Sequence, residues 1–125
     1  MTDKRVVDTL PGAKKEVLDT LETLSEECIN GVLMVLMELE NPDPAIQPNL
    51  EHRCGLLDDK YEIISLPIPD CRKYRLVISI ASKDLIDGDI HYHGAAPAGK
   101  YTCETGKNLA ASQYKLVNPV WEPKS

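Results

Sequence analysis

Val17, Leu21, Leu24, Cys28, Val35 and Leu39 recur at spacings of four, three, four, seven and four residues, and Leu18, Ile29, Val32, Leu33 and Leu36 widen the stripe into a broad apolar face. A period near 3.6 predicts an amphipathic helix, here over residues 11–40. Pro11 suits a first helical turn, where its missing N–H would be unpaired anyway, and Asn41-Pro42-Asp43-Pro44 stops the helix by removing donors. Asn30 and Gly31 are poor helix formers in mid-stretch. The glycine alone costs about 1 kcal/mol relative to alanine, so a kink, or a break into two helices, is expected near it.

From residue 61 the period changes to two. Residues 61–66 read as a strand stopped by Pro67 and Pro69, and residues 74–80 place Tyr74, Leu76, Ile78 and Ile80 on one side against Arg75, Val77 and Ser79. Asp87-Gly88 is a turn signal. Residues 89–104 read as a hairpin around the Gly/Pro loop 94–99, Thr105-Gly106 as a further turn, and residues 113–117 as a last strand. Residues 41–60, with Pro42, Pro44, Pro48 and Gly55, read as an extended connection. The tail 119–125 reads as an extended segment anchored by Trp121, with a short linear motif as the alternative. The class is α+β: a single domain over residues 1–125, with a helical half (1–40), a connector (41–60), a β half (61–118) and the short tail. A long N-terminal helix, kinked near Gly31, is expected to pack on an antiparallel β-meander of four to five strands.

Composition divides at the same point. There is no aromatic residue before Tyr61, and aromatics favour the pleated, half-buried surface of a sheet. Residues 1–60 hold 13 acids and 6 bases against 7 acids and 8 bases in the remainder, for a net charge of −6. Phosphate backbones are bound by clustered Lys and Arg, so direct nucleic-acid binding is not expected. The N-terminal segment has no apolar leader and no apolar run is long enough to span a bilayer, which predicts a soluble, cytoplasmic chain without a membrane partner. Cys28, Cys54, Cys71 and Cys103 form no Cys-x-x-Cys pair. Reduced, scattered thiols are therefore expected, with Cys28 and Cys103 as small core residues.

A continuous helix of about 30 residues would rise about 45 Å, more than one small sheet covers. Residues 32–37 leave almost no polar side. Burial against the sheet on one side and a second copy on the other predicts a homodimer joined through Val32, Val35, Leu36 and Leu39, the alternative being a bent or broken helix covered wholly within the monomer.

The expected hairpin pairs His93 with Lys100 and His91 with Thr102, which brings Asp89, His91, His93, Lys100, Thr102 and Glu104 to one face. Ile90, Tyr92, Tyr101 and Cys103 take the other. The polar face is a wet or partner-facing surface, with a small ligand as a further reading. Its alternative is a divalent transition-metal site on His91 and His93, with Asp89 or Glu104 as oxygen ligand, since two imidazoles two apart on a strand lie side by side. Lys100 opposite His93 would repel that cation. His52 and Cys54 could be imagined as a nucleophile pair, but chain neighbours rarely aim at each other, and phosphate loops and nucleophile elbows are missing from the sequence. No catalytic residue and no cofactor is assigned. The expectation is a small acidic binding protein of the inhibitor, immunity or accessory type, acting through a protein partner.

Overall fold

Ser25 ends the expected long helix near its midpoint. The computed structural model describes residues 6–41, 53–82, 88–99 and 102–117, with side chains through residue 114. Within these, strand β1 (Val7–Asp8) leads to helices α1 (Lys14–Glu22) and α2 (Glu26–Glu40), then strands β2 (Arg53–Leu57), β3 (Tyr61–Ile68), β4 (Cys71–Ala81) and β5 (Ile90–Pro97), and helix α3 (Thr102–Val117). Thr23 closes α1 with its N–H on the carbonyls of Thr20 and Leu21, and Ser25 turns the backbone to an extended conformation while its Oγ accepts the Cys28 N–H. Glu26 and Glu27 in the next turn favour the positive end of α2. The single long helix over 11–40 is thus corrected to two, and the break falls six residues before Gly31, where a kink or a break was expected.

Gly31 has another role. It lies where α2 crosses the β3–β4 turn, and a Cβ there would collide with the Pro69 carbonyl and stand 2.6 Å from Ile68 Cγ2. Gly31→Ala is therefore expected to lower stability by about 2 kcal/mol, because overpacking outweighs the gain of about 1 kcal/mol in helix propensity. Urea unfolding should show a reduced midpoint with unchanged slope; an unchanged or raised midpoint would refute the close approach.

Strands β2 to β5 form an antiparallel meander, while β1 adds in parallel to β5 at the edge, giving the order β1-β5-β4-β3-β2. The sheet is mixed rather than purely antiparallel, and the part of the expected connector at 53–57 is its far edge strand. Asp58 and Asp59, both with φ near +57°, supply the left-handed turn into β3. Residues 42–52, Asp87, Lys100 and the Trp121 tail lie outside the described residues.

Leu76, Ile78 and Ile80 of β4 pack with Ile64, Leu66 and Ile90 against Val17, Leu21, Val32, Val35 and Leu39 of α1 and α2. Val77 and Ile63 face the opposite way onto Ala110 of α3. Both faces are thus covered, which corrects the expected wet side. The expected hairpin over 89–104 and the last strand over 113–117 are corrected with it: β5 pairs with β4 and β1, and Thr102 begins a helix that contains Thr105, Gly106 and residues 113–117.

The cysteines are paired rather than reduced. Cys28–Cys71 joins α2 to the start of β4, and Cys54–Cys103 joins β2 to the first turn of α3. Each helical layer is therefore bonded to the sheet it covers. None of the described helices is long and apolar enough to cross a membrane.

Candidate functional site

His93 is the extra residue of a bulge in β5, where Ile78 pairs with Tyr92 and Val77 with Gly94. Gly94 completes the bulge at φ +127°, a conformation that favours glycine. His93 consequently sits under α3, fully buried with Ser79 and Gln113. Its Nδ1 is 2.9 Å from Gln113 Oε1, its Nε2 is 2.7 Å from Ser79 Oγ, and Ser79 Oγ is 2.9 Å from the Tyr114 hydroxyl.

The donors can be assigned by chemistry. Gln113 Nε2 donates to the His93 carbonyl at 2.8 Å, which fixes Oε1 as the acceptor facing the ring. Nδ1 therefore carries the proton, Ser79 donates to Nε2, and Tyr114 donates to Ser79. Burial holds the His93 pKa down at about 4, opposed by the Gln113 bond and assisted by nearby His91, so the ring is neutral at pH 7. Burial likewise raises the Tyr114 phenol, with its Ser79 bond opposing and Tyr61 adding to the rise. Tyr61 stacks on Tyr114 with ring centroids 4.3 Å apart.

A serine hydroxyl on a histidine oriented by a carboxamide has the connectivity of an activated nucleophile. Ser79 and His93 are sealed, however, beneath Ala110, Gln113 and Tyr114. In this state the chain of bonds fixes α3 on the sheet and presents no face to a substrate.

The structure disperses the rest of the expected polar face. His91 remains on the same side of the sheet, opposite Ser79, with its Nδ1 buried and unpartnered among the described atoms. Its pKa is lowered by burial, opposed by Asp89 and by the backbone and carboxylate of Asp8. Thr102 is buried at the start of α3, where its hydroxyl accepts the Gly99 N–H at 2.8 Å and donates to the Pro97 carbonyl at 2.7 Å. Asp89 is exposed before β5, and Glu104 is exposed in the first turn of α3. The metal set of His91, His93 and Glu104 is therefore not assembled, because both His93 nitrogens are engaged within the protein. Among the described residues no group of three or more His, Cys, Asp or Glu is placed to hold a metal ion.

The expected self-association residues are also inside: Val32, Val35 and Leu39 lie against the sheet, with Leu36 half-buried beside them. What α2 exposes instead is Leu33 (53%), Met34 (52%) and Met37 (69%). Leu33 and Met37 are one turn apart, so they share a row on the helix surface. Leu33 also walls an apolar cleft of about 150 Å³ between the two helices, together with Leu18, Ile29 and Leu36 and with Tyr92 of β5 at its base. Burial and the carboxylates of Asp8 and Glu40 raise the Tyr92 phenol pKa. The sequence showed the apolar run but not which of its members would stay outside.

A second, more polar cleft of about 460 Å³ lies beside the Cys28–Cys71 bond, with Glu27, Asp70, Arg72 and Lys73 around it. Its charges balance and select no ligand.

Comparison with protein-family models, curated proteins and solved structures returns no match. Function is therefore argued from the site's own chemistry.

Proposed function

We propose that this chain is a protein-binding module that acts through the α1–α2 face. The observation that carries the reading is the exposure of Leu33 and Met37 on one row of α2, with Leu33 in the wall of an apolar cleft that Glu22 also lines. Contiguous apolar surface rimmed by polar residues is characteristic of an interaction site. Accessory and inhibitory roles fit such a surface, since both need contact alone. Self-association would have to use this face rather than Val32, Val35 and Leu39, which the chain itself covers. The two disulfides support an oxidising setting in place of the expected reducing one.

The test is comparative capture from native extract. Proteins retained by the wild-type chain are expected to be lost by a Leu33→Lys/Met37→Lys double variant with an unchanged melting temperature. Identical capture by both would overturn the reading.

A further inference from the structure

We propose that the occupant of the α1–α2 cleft is a basic amphipathic helix of a partner protein, an inference that rests on the binding reading above and names the partner's chemistry. Residues 14–40, the span of α1 and α2, carry seven acids and two bases, Lys14 and Lys15. Glu22 lines the cleft, Glu26 and Glu27 are exposed at the start of α2, Asp19 pairs with Lys15 at 3.0 Å, and Asp8 and Glu40 act on Tyr92 at the cleft base. Two copies meeting through this face would bring acidic rims together, and like charges at an interface are costly. A ligand carrying phosphate would meet the same repulsion. Lysines or arginines flanking an apolar stripe complement both the rim and the cleft.

The shape favours a helix. The α2 residues lining the cleft, Ile29, Val32, Leu33 and Leu36, span two turns, and the volume accommodates one large apolar anchor. Side chains recurring every three to four residues on an incoming helix match a groove between helices. Met37, one turn beyond Leu33, adds adaptable, polarisable exposed surface.

The probe is a synthetic helix of about 18 residues made of leucine and lysine, with leucines at i, i+3, i+4 and i+7. One control has the same composition with leucines scattered around the helix, and a second replaces every lysine by glutamate. Calorimetry at about 0.15 M salt is expected to show the basic amphipathic peptide binding at least about tenfold tighter than either control, and weakening as salt rises. Leu33→Lys/Met37→Lys should reduce its affinity at least about tenfold. Glu22→Lys/Glu26→Lys, which leaves the apolar walls intact, should weaken the basic peptide and strengthen the acidic one. Equal binding of the controls, or affinity untouched by the variants, would overturn the proposal. Sedimentation of the protein alone separates it from the broader reading. A dimer dissolved by Leu33→Lys/Met37→Lys would identify a second copy as occupant, overturning the basic helix while retaining the face as an interface. A monomer with no peptide binding and no difference in capture would overturn both.

Discussion

His93→Leu is expected to destabilise the fold by about 3 kcal/mol, although leucine is apolar and similar in size. The substitution strands two fully buried groups at once: Ser79 loses the acceptor for its hydroxyl, and Gln113 Oε1 loses its donor. An unsatisfied buried polar group costs about 1–3 kcal/mol. The companion changes Ser79→Ala and Gln113→Leu, made together with His93→Leu, should recover part of the loss, because the Ser79 hydroxyl and Gln113 Oε1 are no longer stranded, while the backbone carbonyl of residue 93 still loses the Gln113 amide and the Tyr114 hydroxyl its bond to Ser79. A double-mutant cycle on His93 and Gln113 then reads the coupling directly. Additive losses would mean the bonds contribute independently and the chain is not a network.

The same histidine links stability to pH. Its pKa is near 6.5 when unfolded and about 4 when folded, so the unfolded chain binds the additional proton between those values. Its contribution is complete above about pH 6.5 and falls by about 1.4 kcal/mol per pH unit as pH drops toward 4. His93→Leu should therefore be less sensitive to acid than the wild-type chain over that window. Parallel curves would place the proton elsewhere.

Why this network escaped the sequence is instructive. The face of α3 that meets the sheet is made of Thr102, Gly106, Ala110, Gln113 and Tyr114, spaced four, four, three and one residue apart. The period is helical, but small and polar residues replace the aliphatic stripe that normally reveals it. Gly106 is there to approach: a Cβ would stand 3.1 Å from Val77 Cγ2. Without that helix, His91 and His93 looked like the wet side of a sheet, and their correct placement on one face led to the wrong environment. The strands of β3 and β4 and the apolar face of α1 and α2 were legible because aliphatic burial imposes a period. Ser25 followed by two glutamates is an N-cap pattern, but it lies inside a continuous apolar stripe that conceals the break. Disulfide pairing could not be read at all, since Cys28 and Cys71 are 43 residues apart and only the fold brings them together.

Those disulfides carry the other large effect. Removing either by paired alanine substitution is expected to cost about 4 kcal/mol, from the closure entropy of separations of 43 and 49 residues. The consequences should differ in kind. Without Cys28–Cys71, α2 still has Val32, Val35 and Leu39 against the sheet, so unfolding should remain cooperative at a lower midpoint. α3 has no comparable aliphatic face. Cys54→Ala/Cys103→Ala should therefore loosen α3 before the sheet, seen as faster amide exchange over residues 102–117 than in β3 and β4. Opening α3 would also rehydrate His93, and its titration by NMR should move up from about 4 toward the ordinary histidine value. Uniform loss of protection, with His93 unmoved, would show that the hydrogen-bonded chain holds α3 without its covalent tie.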